Sequence, residues 1–175
     1  RINNIAPLLK PVDGIITQGV NINKRNPHDG LDIAASFKAK IQATQDGIVI
    51  LSDNIESLGN TVIIAHPNNY YSVYGHLYKR LCQTRDFITM GATIGLVGKA
   101  NNEEGPHLHF EIWQNNPIID PRNLIKDYRK NNLYNPWNPS LNLNNLSNPD
   151  IIYNNLKVNG KNISKLKTYK LIRDY

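Results

Sequence analysis

Gly105-Pro106-His107-Leu108-His109-Phe110-Glu111, continued by Ile112-Trp113, is the stretch on which the reading of this chain turns. Leu, Phe, Ile and Trp in one short run read as an interior strand, and Gly105-Pro106 reads as the turn that delivers the chain into it. Side chains at i and i+2 of a strand share a face. His107 and His109 therefore project together, while Leu108 and Phe110 project the other way. Two imidazoles side by side on a rigid strand suit a metal or a proton-transfer pair. A lone His-x-His pair is more often incidental, and a catalytic zinc takes three protein ligands with one position left to water. The rest of the chain must supply what is missing.

Outward from this stretch, short runs rich in Ile, Val and Thr recur over 14–19, 31–35, 40–44, 47–51, 61–65, 70–74, 87–89 and 93–97. Turn signals separate them at Gln45-Asp46-Gly47, Gly59-Asn60, Pro67-Asn68-Asn69, Gly91 and Gly98. Many short strands at this spacing predict an all-β fold, built as an antiparallel sheet, sandwich or barrel. No long amphipathic helix is visible. One helical turn is expected near 120–126, with Asp120 as N-cap and Pro121 at the first helical position. Residues 1–13 form a lead-in, where Pro7 and Pro11 argue against helix. The domain is expected to span 14–128. Beyond it, 129–175 is an extension whose first part is dense in Asn and broken by Pro136, Pro139 and Pro149. Asn159-Gly160 signals a small hairpin. A lone hairpin is marginal in water, so it is expected to dock on the β-domain or to serve as a contact surface. Lys157, Lys161, Lys165, Lys167, Lys170 and Arg173 favour an anionic partner for it.

The length of 175 residues suits one domain with an extension, and 40% apolar content suffices for one core. The net charge of +6 favours anionic partners. No segment concentrates Lys and Arg with interleaved aromatics, which argues against nucleic acid. The anionic polymers of a bacterial envelope fit the charge as well. Cys82 is the single cysteine, so no intramolecular disulfide forms; beside Leu81, Phe87 and Ile88 it reads as a half-buried structural thiol. No apolar helical run reaches the length of a membrane span. The chain begins at Arg1 rather than Met and shows no signal peptide, as expected of a mature form or a cut piece.

Upstream, Pro27-His28-Asp29-Gly30-Leu31-Asp32-Ile33-Ala34 offers an imidazole and a carboxylate. A spacing of four could place them on one helix face, but Gly30 and the β-like run favour a loop entering a strand. With one of the His107/His109 pair they make a His2Asp set, three ligands and an open fourth position. That stoichiometry is catalytic, since a structural zinc usually fills the fourth place with Cys, and Cys82 has no partner motif. His76, at a strand end in Tyr74-Gly75-His76-Leu77, reads equally well as a site residue or as a solvated histidine. His66, in Ile64-Ala65-His66-Pro67, reads as a solvated strand-end histidine.

The set His28-x-x-x-Asp32, His76 and His107-x-His109 resembles the zinc metallopeptidases of the LytM/lysostaphin type, the M23 family. The resemblance extends through Gly30-Leu31-Asp32-Ile33-Ala34-Ala35, Ala43-x-x-Asp46-Gly47-x-Val49 and Gly59-Asn60-x-Val62-x-Ile64-x-His66. It continues in Tyr74-Gly75-His76-Leu77, Gly91-x-x-Ile94-Gly95-x-Val97-Gly98 and the 105–111 stretch, covering roughly 14–125. It implies a LytM-type antiparallel core, with His28, Asp32 and His109 holding one Zn2+ per chain. It implies that His76 and His107 are the catalytic pair beside the metal, one as base and the other as oxyanion donor. It further implies hydrolysis of peptide cross-links or stem peptides of peptidoglycan, in the bacterial cell envelope, periplasmic or extracellular. Two features differ from the family. Arg85-Asp86 stands where the family often has Gly-Asp or Gly-Gln, an awkward choice if the turn needs left-handed backbone. The 99–104 loop carries Glu103 and Glu104 where small Ser and Thr are usual, which bears on substrate preference. A non-enzymatic member that binds wall peptides or activates another hydrolase is the alternative, but such members usually lose ligands and all five residues stand here. A metalloprotease acting on proteins would share the same site.

Overall fold

In chain order the strands are β1 (Ile15–Gln18), β2 (Leu31–Ala34), β3 (Lys40–Gln42), β4 (Gly47–Ile55), β5 (Gly59–His66) and β6 (Tyr70–Gly75). They continue with β7 (Leu77–Arg80), β8 (Phe87–Ile88), β9 (Thr93–Val97), β10 (His107–Gln114) and β11 (Ile118–Ile119). The computed structural model describes residues 7, 9–23, 25–100, 105–115 and 117–130. Glu103, Glu104 and the extension from residue 131, with its Asn159-Gly160 hairpin, lie outside the described residues.

The large sheet runs β1-β2-β10-β6-β5-β4-β8, all neighbours antiparallel, and β11 pairs with the second half of β10 beyond the end of β2. A second sheet runs β3-β9-β7. One apolar cluster joins them. The large sheet contributes Leu31, Ile33, Val62, Ile64, Leu108, Phe110 and Ile112, and the small sheet contributes Ile41, Leu77, Ile94 and Val97. Burying each such side chain stabilises the fold by about 1.5–3 kcal/mol. The arrangement is the antiparallel all-β one that the strand spacing predicts.

The other face of β10 follows from alternation: His107, His109, Glu111 and Trp113 stand opposite Leu108, Phe110 and Ile112. A smaller apolar cluster of Ile50, Ile63, Val73 and Trp113 covers part of that second face.

Local differences from the expected elements have local causes. β7 is unforeseen because Leu77 alone of its four residues is buried. β11 has only two residues, too few to show a pattern. The β4–β5 hairpin runs on to the pair Ile55 and Gly59, with Gly59 at φ 61°, past the expected strand ends. Arg85 does adopt the left-handed conformation, at φ 81°. Its amide donates to the Val49 carbonyl at 2.7 Å, and Asp86 secures the turn by accepting from Gln83 N at 2.8 Å. Those bonds offset a backbone cost of roughly 1–2 kcal/mol. The expected helical turn is a 3-10 turn over Pro121–Asn123, with the Asp120 side chain accepting from Arg122 N. A short α1 (Lys126–Lys130) follows it, and the buried Tyr128 ties that helix to the main core. Cys82 is buried rather than half-buried, and burial pushes its thiol up to about 11, so it is inert.

His66 is not a solvated histidine. Its side chain points into the sheet interior and is 7% exposed. Nδ1 meets the Asp46 carbonyl at 2.8 Å and Nε2 meets Ser72 Oγ at 2.7 Å. Ser72 is hydrogen-bonded on to Tyr74 OH at 2.9 Å, and Tyr74 OH to Thr44 at 3.0 and 3.1 Å. The sequence reading failed because His66 ends β5, where alternation alone turns it to the core side with Val62 and Ile64. Burial lowers its pKa from 6.5 to about 4, against the opposing pull of the Asp46 carbonyl. Between those values the unfolded chain binds more protons than the folded one, so stability falls as pH drops through that window. Urea unfolding at pH 7 and 4.5 should show wild type losing roughly 2–3 kcal/mol more than His66→Gln over that interval. Equal losses in the two proteins would contradict the burial account.

Candidate active site

Strand pairing assembles the site. On β10, His109 stands directly opposite Asp32 of β2 and, on its other side, Gly75 of β6. His28 enters from a loop closed by reciprocal backbone bonds to Asn21, at 2.7 and 2.8 Å. The loop then runs close alongside β10 as it enters β2. A Cβ on Gly30 would stand 2.5 Å from the Phe110 carbonyl oxygen, so this close approach requires glycine. His76 follows Gly75 at the point where the chain leaves β6 for β7, and its φ of 60° makes that bend. Its amide is held by the Leu58 carbonyl at 2.7 Å, from the tip of the β4–β5 hairpin. A left-handed histidine persists only where its surroundings fix it, and such positions cluster at functional sites.

Four imidazoles thus form a row. The ring centroids of His28 and His109 are 5.0 Å apart, those of His109 and His76 5.6 Å, and those of His76 and His107 5.1 Å. One ligand atom from each of His28, Asp32 and His109 lies within 4.8 Å of the others. His107 is not in that group. The structure therefore separates the two histidines of the strand: His109 joins His28 and Asp32, and His107 stays with His76.

The donor set fits a divalent metal. His28 Nδ1 donates to the Gly19 carbonyl at 2.8 Å, which leaves Nε2 as the nitrogen with the lone pair. That Nε2 is buried and makes no hydrogen bond, although Asp32 Oδ2 is 3.1 Å away. An orphaned buried nitrogen facing a carboxylate is what a missing cation would explain. Asp32 Oδ1 also meets His109 Nδ1 at 2.8 Å. Burial alone would raise the Asp32 pKa, but the bonds to His109 and His28 hold it well below the usual carboxylate range. A carboxylate that stays ionised suits a cation.

His76 is half-buried. Burial first, then the charges of His109 and His107, lower its pKa to about 4, so it is neutral at physiological pH. His107 Nδ1 donates to the Gly105 carbonyl at 3.0 Å, which orients the ring. Sequence reasoning placed no role on the Gly19 carbonyl, on Leu58 or on Glu111, which meets His109 Nε2 at 2.9 Å. Only Glu111 left a signal, its parity with His107 and His109 along the strand.

An antiparallel sheet with a His2Asp cluster and two further imidazoles beside it has the layout of a metal-dependent hydrolase. The chain belongs to peptidase family M23, whose model matches residues 26–121. It is 36% identical over 101 residues to an uncharacterized metalloprotease of Buchnera aphidicola, covering 58% of this chain and 27% of that protein. It is 37% identical over 86 residues to the peptidoglycan DD-endopeptidase ShyA of Vibrio cholerae, covering 49% of this chain and 20% of that one. Among solved structures, a zinc-containing peptidase from Vibrio cholerae superposes with a TM-score of 0.59 at 34% identity, covering 63% of this chain and 37% of the other. The chain thus spans about a quarter of the curated relatives' length. Among the described residues, no helix is long and apolar enough to cross a membrane.

A proton held on His109 would compete with a cation. Burial would lower the His109 pKa, but hydrogen bonds to Asp32 and Glu111 outweigh it and push it up to about 9. Metal binding that uses His109 should therefore weaken about tenfold for each pH unit below that value. Competition titration of a divalent metal between pH 7 and 8.5 should give a log-affinity slope near one. A flat profile would show that no such proton is held.

Proposed function

We propose that this chain is a zinc-dependent endopeptidase that hydrolyses peptide cross-links or stem peptides of bacterial peptidoglycan, in the cell envelope. The observation that carries the reading is the His28/Asp32/His109 cluster with the His76/His107 pair beside it, in a family shared with peptidoglycan DD-endopeptidases. Two imidazole nitrogens and one carboxylate match a catalytic zinc site, with a fourth position left for solvent or substrate. Zinc held there supplies Lewis acidity, lowering the pKa of water to roughly 7 and polarising a carbonyl.

The chain's own residues do the rest. His107, with Nδ1–H donated to Gly105, presents its Nε2 lone pair and takes the proton of the attacking water. His76 faces the same space as a neutral imidazole and donates to the oxyanion that develops on the scissile carbonyl. Asp32 offsets part of the cation's charge. The net charge of +6 suits the anionic polymers of an envelope. All five site residues are present, which favours the enzyme over a non-catalytic wall-binding member.

Purified protein should bind about one zinc per chain and lose hydrolysis of sacculi on chelation, with recovery when zinc is returned. Asp32→Ala and His109→Ala should lose zinc and activity together. His76→Ala and His107→Ala should keep zinc and lose on the order of 100-fold or more in rate. Zinc content across the four variants decides the ligand assignment, and mass spectrometry of released muropeptides decides the bond. Full activity in metal-free protein would sink the mechanism.

A further inference from the structure

Glu111 is a fully buried carboxylate against the metal cluster, 1% exposed on the outer face of β10. An unpaired carboxylate there would cost several kcal/mol. Its two oxygens have separate partners. Oε1 meets His109 Nε2 at 2.9 Å and Oε2 meets Trp113 Nε1 at 2.7 Å. The indole N–H is only a donor, so Oε2 is an acceptor. Oε1 stands against His109 as the second acceptor of the group, so the hydrogen between them sits on Nε2. The nitrogen left for a cation is then Nδ1, the atom 2.8 Å from Asp32 Oδ1.

We propose that Glu111 and Trp113 form a buried positioning pair that locks His109 with Nδ1 toward the metal cluster. Trp113 is the anchor. Its ring is 3% exposed and packs with Ile50, Ile63 and Val73 of three neighbouring strands. Its N–H then fixes the second oxygen of Glu111, so the carboxylate cannot rotate away from His109. The order of attachment is sheet packing, indole, carboxylate, imidazole, cation. The alternating strand brings all three side chains to one face, two residues apart each time. The carboxylate also makes the imidazole a stronger donor to a cation, as such partners of metal-bound histidines do. His28 is served differently, by a backbone carbonyl, and so presents the opposite nitrogen, Nε2. The two ligand histidines therefore bind through different ring atoms, each selected by its outer partner.

This inference rests on the zinc reading above and is tested apart from activity. The full chain is loaded with zinc, and long-range 1H–15N spectra of the histidine side chains are recorded. His109 should appear as the Nε2–H form with Nδ1 coordinated, and His28 as the Nδ1–H form with Nε2 coordinated. Zinc affinity is then measured by chelator competition for Glu111→Gln and Trp113→Phe. Glu111→Gln should bind zinc 10–100-fold more weakly, the usual effect of losing such a partner. Trp113→Phe keeps the packed ring and should weaken zinc several-fold in a protein that circular dichroism shows to be folded. His109 coordinated through Nε2, or both variants binding zinc within twofold of wild type, would overturn the proposal. Wild type that binds no zinc would instead overturn the metal reading on which it stands.

Discussion

The pairing of β10 with β2 is the constraint on which the site depends. His109 meets Asp32 because the two strands pair antiparallel with Leu108 opposite Ile33 and Phe110 opposite Leu31. Those four apolar side chains are fully buried. A one-residue slip would turn them outward and carry His107, His109 and Glu111 into the core. Each misplaced apolar residue would forfeit about 1.5–3 kcal/mol, and the buried polar groups would add desolvation cost. The hydrophobic core therefore sets the geometry of the polar site on the opposite face. The same logic holds on the other edge of β10, where Phe110 pairs with Tyr74 and brings Gly75, and so His76, beside His109.

A site assembled this way concentrates charge that must be balanced. Asp32 and Glu111 both bear on His109, which in the metal-free chain answers by holding a proton. A divalent cation in the cluster replaces that proton and leaves the carboxylates compensated. His76 and His107 form the other half of the row. They lie beside other imidazoles, and for His76 burial and those neighbours favour the neutral ring that can donate or accept a proton. On the proposed reading, one strand supplies a metal ligand and a proton-transfer group two residues apart, differentiated by what stands against each.

Close approach and a left-handed backbone serve the places where the chain reaches the site. Gly30 lets the His28 loop run close against β10, and the left-handed His76 turns the chain from one sheet into the other. Leu58, from the tip of the β4–β5 hairpin, holds His76 in place through its carbonyl. Away from the cleft, Arg85 shows that a non-glycine residue can take a left-handed turn when flanking hydrogen bonds secure it. The His66–Ser72–Tyr74–Thr44 chain is a polar network inside the core that satisfies groups burial would otherwise penalise.

Much was legible in the amino-acid sequence because strand periodicity and turn chemistry are local. The runs at 31–35, 61–65, 70–74 and 93–97, the turn signals between them and the parity of His107 and His109 required no knowledge of distant contacts. The resemblance carried by 28–32, 74–77 and 105–111 named the candidate residues that the sheet brings together. Tertiary structure decided what depends on partners far along the chain. His66 and Cys82 were misread because burial is a property of the assembled sheets. β7 and β11 were missed because neighbouring strands, not their own composition, make them strands. Spacing alone could not separate His109 from His107, since both point to one face; the register with Asp32 on one side and the bend at His76 on the other does so. Glu111 and Trp113 stood in the quoted stretch without a role, because a carboxylate acquires one only when its two oxygens find an imidazole and an indole at hydrogen-bond distance.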